Sequence, residues 1–325
     1  MQTDNLALTV FLFLVGMVLT IKGGDFFVDA ASWIAERSGI PKLIIGATIV
    51  SLATTMPEML VSVMAAVQGK VDMSIGNAVG SVTANLGLIM ALAVVFMPGV
   101  IRRKDYLLKS ILMLAASAII VLCGLTGSVS VAMCAVLLVI FAVYLWDNVH
   151  EAHRTIRLNG QQPDRAAAAQ ETGRRVVLVN IAKFVGGAAA IVLGAQLLVD
   201  NGSTLARLAG ISERVIGVTL VAIGTSLPEL ITTITAISKK QSELSVGNIL
   251  GANILDLTLI MPLSSLISGK PLPVSQTMAA IDLPACLLVG LIATIPALIG
   301  KRFARWQGAV LLVVYAGYVV LTCTR

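Results

Sequence analysis

Long apolar runs separated by short polar stretches dominate the pattern of this chain. A helix needs roughly 20 apolar residues to cross about 30 Å of bilayer hydrocarbon. Ten runs come close to that length, at residues 6–22, 43–67, 73–97, 106–124, 129–147, 176–199, 214–238, 244–267, 278–299 and 306–323. The pattern therefore predicts an all-α integral membrane protein with ten transmembrane helices.

The composition supports this prediction and argues against other classes. Hydrophobic residues make up 57% of the chain and charged residues 12%, whereas soluble domains carry about 25% charged residues. The net charge of +6 does not indicate nucleic acid, because Lys and Arg gather in alternate loops, as the positive-inside rule expects of a membrane protein. The expected partner is the lipid bilayer, and no obligate protein partner is evident.

The same basic loops predict an orientation. The segment before the first run contains Asp4 and no Lys or Arg, so we interpret the run as a retained helix that starts on the outer side. Both termini are then expected outside the plasma membrane, or outside the inner membrane if the source is a Gram-negative bacterium. The basic and Trp residues that mark the inner side include Lys22, Arg37, Lys42, Arg102, Arg103, Lys104, Lys239, Lys240, Lys301, Arg302, Trp33, Trp146 and Trp306.

Neither cysteine nor histidine indicates a site. Each cysteine stands singly in an apolar run without C-x-x-C spacing, so we predict buried thiols rather than a zinc or redox site. The cysteines are Cys123, Cys134, Cys286 and Cys323. His150 and His153 lie in a polar stretch after the fifth run and are assigned no role.

An internal repeat divides the chain. Residues 45–92 and 216–263 align without a gap at an offset of 171, with 17 identities in 48 positions. We therefore predict a first five-helix half at 1–147, a polar linker at 148–175 and a second five-helix half at 176–325. Five runs separate the start of one copy from the start of the other, and an odd number gives the copies opposite orientations. Inverted repeats with helices interrupted by Pro or Gly are the recurring architecture of secondary transporters.

Each copy places a carboxylate next to a proline inside an apolar run. Pro57 and Pro228 have no N–H, so each should break its helix and leave carbonyl oxygens unpaired. Glu58 and Glu229 follow directly, and an ionisable residue at membrane depth is by default a candidate for an ion pathway. Residues at helical spacing share a face with each Glu, namely Ser51, Thr54, Thr55 and Ser62 in the first copy and Ala222, Thr225, Ser226 and Thr233 in the second.

The next run of each copy adds a second polar row. Its members are four residues apart: Asn77, Ser81 and Asn85 in the first copy, and Asn248, Ala252 and Asp256 in the second. Glycines beside them should allow neighbouring helices to approach closely, at Gly76, Gly80, Gly247 and Gly251. Four helices are then expected to converge on one polar centre whose ligands are all oxygens. Such a set suits hard cations, and Ca²⁺ takes about six to eight oxygens.

The paired motifs Thr54-Thr55-Met56-Pro57-Glu58 and Thr225-Ser226-Leu227-Pro228-Glu229, each followed by a Gly-Asn motif, resemble the alpha repeats of the sodium/calcium exchanger family, in the calcium:cation antiporter superfamily. The resemblance implies two inverted five-helix halves and alternating access at a central site for Ca²⁺ or Na⁺. It implies Glu58 and Glu229 as the principal ligands. The other implied ligands are Thr54, Thr55, Ser81, Thr225, Ser226, Asn85 and Asp256, with the carbonyls of Ser51 and Ala222.

The sequence departs from the family pattern at three places. Ala252 replaces the expected Ser. Val82 stands where the first copy usually has Asn, which the second copy retains as Asn253. Ala53 and Thr55 vary the G-T-S element. The favoured function is a secondary active antiporter that exchanges Ca²⁺ for Na⁺ by alternating access, and exchange of Ca²⁺ for H⁺ is the alternative. No cofactor and no enzymatic activity are predicted, since the chain lacks a nucleophile–His arrangement, and a passive cation channel is the alternative from another class.

Overall fold

The computed structural model describes residues 6–99, 103–159, 173–210 and 222–324, and most of these residues are helical. In chain order the helices are α1 (Leu6–Ser38), α2 (Lys42–Thr54), α3 (Met56–Val67), α4 (Val71–Phe96), α5 (Arg103–Thr126), α6 (Val131–Asn159), α7 (Arg174–Leu208), α8 (Ala222–Thr225), α9 (Leu227–Ser238), α10 (Ser242–Ser268), α11 (Met278–Gly300) and α12 (Arg305–Thr324). Two short strands, β1 (Ser128–Val129) and β2 (Leu272–Pro273), pair antiparallel.

The described helices confirm the predicted class, an all-α integral membrane protein. Eight of them are long and apolar enough to cross a membrane, and the broken pair α2–α3 raises the number to as many as nine. The count of ten stays a prediction, because residues 214–221 of the seventh predicted span lie outside the described residues. Arg102 and residues 160–172 of the predicted linker also lie outside the described residues.

Several helices continue beyond the apolar runs that predict them. Helix α1 extends past residue 22 to Ser38, and α6 extends past residue 147 to Asn159, so the first part of the predicted linker is helical. The extension of α1 carries Asp25 and Asp29, whose carboxylates lie 3.3 and 2.8 Å from the Lys239 ammonium. Polar residues therefore end the apolar run without ending the helix.

The helices form two compact units, and each unit draws on both halves of the sequence. The first unit comprises Met1–Thr54 and Asn148–Asn248, and the second comprises Thr55–Asp147 and Ile249–Arg325. This grouping reflects which helices pack together, whereas the predicted halves reflect sequence repetition. The repeat boundaries therefore stay a prediction.

In the first unit, glycines bring α1 and α7 into backbone contact. A Cβ atom on Gly16 would lie 2.9 Å from the Gly194 carbonyl oxygen, and one on Gly23 would lie 2.9 Å from the Gly187 carbonyl oxygen. The two contacts pair the helices antiparallel. Gly187 and Gly194 are also the positions 171 residues after Gly16 and Gly23. An antiparallel pair of repeat-related helices is compatible with the predicted inverted repeat.

The hydrophobic core of the first unit lies next to this glycine contact. Phe27 and Phe184 stack with ring centroids 4.6 Å apart, and Phe27 is fully buried. Small and branched residues from α1, α7 and α9 fill the surrounding space, including Val28, Ala31, Ile191 and Ala236. Burial of this apolar surface fixes α9, and hence Glu229, against the α1–α7 pair.

In the second unit, a glutamine side chain repairs the helix defect that a proline creates. Pro296 lies inside α11 and cannot donate an N–H to the carbonyl of Ile292. The buried Gln307 amide from α12 donates to the Ile292 carbonyl at 2.8 Å and to that of Ala293 at 2.7 Å. Because an unpaired carbonyl at membrane depth is costly, this contact ties α12 to α11.

Candidate ion-binding site

Helix breaks occur at matching places in both copies. The chain leaves helical geometry at Thr55, between α2 and α3, and at Ser226, between α8 and α9. Pro57 and Pro228 are the second residues of α3 and α9. Their position at the start of a helix costs no hydrogen bond within that helix, but it prevents the preceding segment from continuing. The break predicted from proline is confirmed at both places.

In the first unit, Thr54 connects α2 to α10. Its hydroxyl lies 3.2 Å from the Asn248 side-chain oxygen, to which it donates, and 3.3 Å from the Ser51 carbonyl oxygen. Ser51 and Thr54 are both buried. The Ser51 carbonyl, a predicted ligand, therefore sits at the end of α2 in a polar setting.

The residues around the second break, at Ser226, also belong to the first unit. Ser226 and Glu229 are fully buried, whereas Thr225 is half-buried. Ala222 is the first residue of α8, and its side chain lies outside the description. Thr232 and Thr233, on the next turn of α9, are also buried. Thr232 is not among the ligands predicted from the sequence. Its hydroxyl lies one helical turn after Glu229 inside an apolar helix, and that spacing could have indicated it.

In the second unit, Asn77 holds α3 against α4 beside a predicted ligand. Its amide nitrogen donates to the Glu58 backbone carbonyl at 3.1 Å and to the Ser62 hydroxyl at 3.0 Å. The Glu58 side chain is 1% exposed. Thr55, the residue at the break, is buried too. Asn77 therefore fixes the position of the helix turn that carries Glu58.

The repeat-related contact is not formed in the other copy. Asn248 is the counterpart of Asn77, and Thr233 that of Ser62. Within the described residues, neither the Asn248 amide nitrogen nor the Thr233 hydroxyl has a hydrogen-bond partner. The two copies thus share a sequence pattern and differ in their hydrogen bonding.

Two of the three predicted ligands of the second polar row, Asn85 and Asp256, begin π-helical segments. Asn85–Met90 in α4 and Asp256–Ile260 in α10 have the wider i to i+5 geometry. Their first residues are 171 positions apart and fully buried. π-Helical turns are rare and occur frequently at functional sites. No sequence signal pointed to these segments.

Each unit contains buried oxygen atoms that accept no hydrogen bond from any described residue. They are the Ser81, Ser226, Thr232 and Thr233 hydroxyls and the Asn85 side-chain carbonyl. Leaving a buried polar atom unsatisfied costs about 1–3 kcal/mol, so each such atom calls for a partner such as a water or an ion. Hydroxyl and amide oxygens fit a hard cation as transported substrate. No three His, Cys, Asp or Glu side chains of the described residues form a metal-holding group. A cation would therefore need these neutral oxygens as ligands in addition to the carboxylates.

The structure divides the predicted ligands between the two units. The first unit holds Ser51, Thr54, Ala222, Thr225, Ser226 and Glu229, and the second holds Thr55, Glu58, Ser81, Asn85 and Asp256. Within each unit, helices that carry these residues are joined by side-chain hydrogen bonds. That all of them serve one ion site stays a prediction.

Removing the Asn77 amide should destabilise the second unit. Asn77→Leu keeps the side-chain volume and deletes two hydrogen bonds, at a cost of roughly 2 kcal/mol. The melting temperature of the purified protein in detergent measures the effect. Asn248→Leu is the matched control and should lower stability less, because it deletes one hydrogen bond, from the Thr54 hydroxyl, whereas the Asn248 amide nitrogen has no partner among the described residues. Equal losses would show that the Asn77 contacts are not specific.

The chain matches known proteins over nearly its whole length. A family model described as "Sodium/calcium exchanger protein" matches residues 8–148 and 179–324. The sodium/calcium exchanger MaX1 of Methanosarcina acetivorans is 30% identical, covering 95% of this chain and 96% of that protein. The inner membrane protein YrbG of Escherichia coli is 33% identical, covering 86% of each chain. A structure of the sodium-calcium exchanger NCX_Mj, soaked with Na⁺ and Sr²⁺, superposes with a TM-score of 0.77 at 30% identity, covering 96% of this chain and 98% of that one.

The fold and these matches define a multi-pass membrane transporter and not an enzyme, as the sequence predicted. The chain belongs to the sodium/calcium exchanger family. The resemblance read from the paired Glu motifs is thereby confirmed. The outer location of both termini stays a prediction.

Proposed function

We propose that the protein is a secondary active antiporter that exports Ca²⁺ in exchange for Na⁺. The observation that carries the proposal is the burial of Glu58, Glu229 and Asp256, all at most 1% exposed, on helices that also carry buried hydroxyl and amide oxygens. Three carboxylates can balance one divalent or several monovalent cations, so the two ions would compete for the same ligands. The relatives named as sodium/calcium exchangers support this choice of ions.

The ligand set that we propose is the one drawn from the sequence: Glu58, Glu229, Asp256, Asn85, Thr54, Thr55, Ser81, Thr225, Ser226 and the carbonyls of Ser51 and Ala222. Hydroxyl and carbonyl oxygens suit Na⁺ as well as Ca²⁺, whereas the carboxylates favour the divalent ion. Occupancy by one ion would then exclude the other, which is the requirement for exchange.

Alternating access would involve the α1–α7 pair. The close backbone contact at Gly16 and Gly23 holds the two helices together, so the pair can move as one element. Movement of a helix pair around a fixed site is the general scheme for transporters built from inverted repeats.

Proton coupling is the second candidate, and Asp256 favours it. Asp256 stands where the first copy has the neutral amide of Asn85, and it is fully buried. A carboxyl group can bind either a cation or a proton, whereas a neutral amide has no proton to exchange. A carrier that uses this residue would exchange Ca²⁺ for H⁺.

Everted membrane vesicles containing the protein are expected to accumulate ⁴⁵Ca²⁺ when an outward Na⁺ gradient is imposed. A pH gradient without Na⁺ should produce little uptake, and the reverse result would support proton coupling. Vesicles from cells without the protein are the control. Absence of uptake under both gradients would overturn the antiporter proposal. Unitary currents in a planar bilayer would instead indicate a channel.

A further inference from the structure

A short hydrogen-bond relay lies behind one predicted ligand in the second unit. The Asn85 amide nitrogen in α4 donates to the Asn253 side-chain oxygen in α10 at 3.1 Å. The Asn253 amide nitrogen in turn points to the Met113 sulfur in α5 at 3.8 Å. All three side chains are at most 1% exposed. The relay therefore connects three helices in a dry environment.

The sulfur atom determines which way both amides face. A thioether is a weak acceptor and has no hydrogen to donate. Asn253 therefore turns its N–H₂ toward Met113 and its oxygen toward Asn85. Asn85 must then offer its own N–H₂ to Asn253, which leaves its side-chain oxygen free of any described hydrogen-bond partner. Reversing either amide would place two oxygens or two N–H₂ groups face to face, or oxygen against sulfur.

The relay exists on one side of the repeat only. The positions equivalent to Asn253 and Met113 at the 171 offset are Val82 and Pro284, neither of which can hydrogen-bond through its side chain. The ligand equivalent to Asn85 is Asp256. A carboxylate presents an oxygen in either rotation, whereas an amide presents oxygen in only one. The relay that orients an amide therefore lies beside the amide ligand Asn85. The equivalent positions beside the carboxylate ligand Asp256 cannot form such a relay.

We propose that Asn253 is a positioning residue for cation exchange, which fixes the Asn85 side-chain oxygen as a ligand by means of Met113. This inference rests on the proposed cation-exchange function. Without Asn253, the Asn85 amide is free to turn its N–H₂ toward the cation, and a donor in that position opposes binding. The loss should appear as weaker cation affinity rather than as loss of fold.

The test compares Asn253→Leu in two backgrounds, with Ca²⁺ binding to the purified protein measured by calorimetry. In the wild-type background the dissociation constant is expected to rise by roughly tenfold, the effect of one lost oriented contact. In the Asn85→Asp background the same substitution should change it less than about twofold, because a carboxylate needs no orientation. Equal effects in both backgrounds would overturn the proposal, since a merely structural role would not depend on residue 85.

Two further variants keep the test decisive. Met113→Leu removes the sulfur acceptor and leaves the amides in place, so it should weaken binding in the same direction, by about twofold to threefold, and no effect would count against the relay. Should Asn253→Leu fail to fold, this variant carries the test alone. Thr258→Val is the matched control in α10, because the buried Thr258 hydroxyl bonds to the Ile254 carbonyl of its own helix and to no other described residue. Failure of the wild type to bind Ca²⁺ or Na⁺ would contradict the proposed function instead.

Discussion

Replacing Glu58 or Glu229 by glutamine is expected to reduce Ca²⁺ exchange by at least roughly 100-fold. Glutamine keeps the size of the side chain and removes one negative charge from a site that is at most 1% exposed. Removing one partner of a buried charge pair costs about 3–5 kcal/mol, which corresponds to a factor of roughly 10² to 4 × 10³ in affinity. Initial rates of ⁴⁵Ca²⁺ uptake in proteoliposomes measure the loss.

The stability of these variants should move differently from their transport. In cation-free buffer, glutamine keeps the volume of the buried side chain and replaces a carboxyl group by an amide that is easier to bury, so the melting temperature should change little. Ca²⁺ should raise the melting temperature of the wild type and have little effect on Glu58→Gln, since only a protein that binds the ion is stabilised by it. Glu243→Gln, on the exposed first turn of α10, is the control and should transport normally. Normal exchange by Glu58→Gln would remove this residue from the ligand set.

The apolar pattern predicted which segments are helices, and less accurately where they end. Each predicted run overlaps a helix in the described residues, because burial in hydrocarbon demands internally satisfied backbone groups. The ends differ because helix geometry does not require an apolar environment. Helix α1 continues through Asp25 and Asp29, where Lys239 supplies opposite charge from a residue more than 200 positions away. A contact of that sequence separation leaves no local signal.

The helix breaks could be predicted from local chemistry, whereas the π-helical segments could not. Pro57 and Pro228 act through their own missing N–H, so the sequence is sufficient to locate the interruptions. The wider turns that begin at Asn85 and Asp256 have no comparable local marker, since both residues keep their backbone N–H. The orientation of the Asn85 amide is likewise non-local, since Met113 and Asn253 are far away in the chain.

The glycines of the polar rows do not all serve the close helix approach that the sequence predicts. All four were expected to allow close approach of a neighbouring helix. A Cβ atom on Gly247 would meet the Leu43 carbonyl oxygen and would lie 3.0 Å from the Ala47 nitrogen, so the expectation is met there. A Cβ atom on Gly80 would have no atom of another described element within 4 Å, so close approach is not the role of this glycine.

Gly247→Ala is therefore expected to disrupt the first unit, in which α2 contacts the start of α10. The atoms that an added methyl group would strike belong to the backbone of α2, and relief requires the whole helix to shift. Overpacking of this kind costs about 1–3 kcal/mol or more. We expect a melting temperature lower by several degrees and a reduced yield of monodisperse protein, measured by thermal unfolding and size-exclusion chromatography in detergent.

Gly76→Ala is the matched control, because Gly76 is the repeat counterpart of Gly247. Among the described residues, its one near neighbour is the terminal methyl of Met278, 3.1 Å from an added Cβ. A flexible thioether side chain can move aside at little cost, and alanine in a helix is favoured over glycine by about 1 kcal/mol. Gly76→Ala should therefore be neutral or stabilising. If the two alanines were equally harmful, the cost would come from a property shared by the repeats, such as helix flexibility, and not from the backbone contact between α2 and α10.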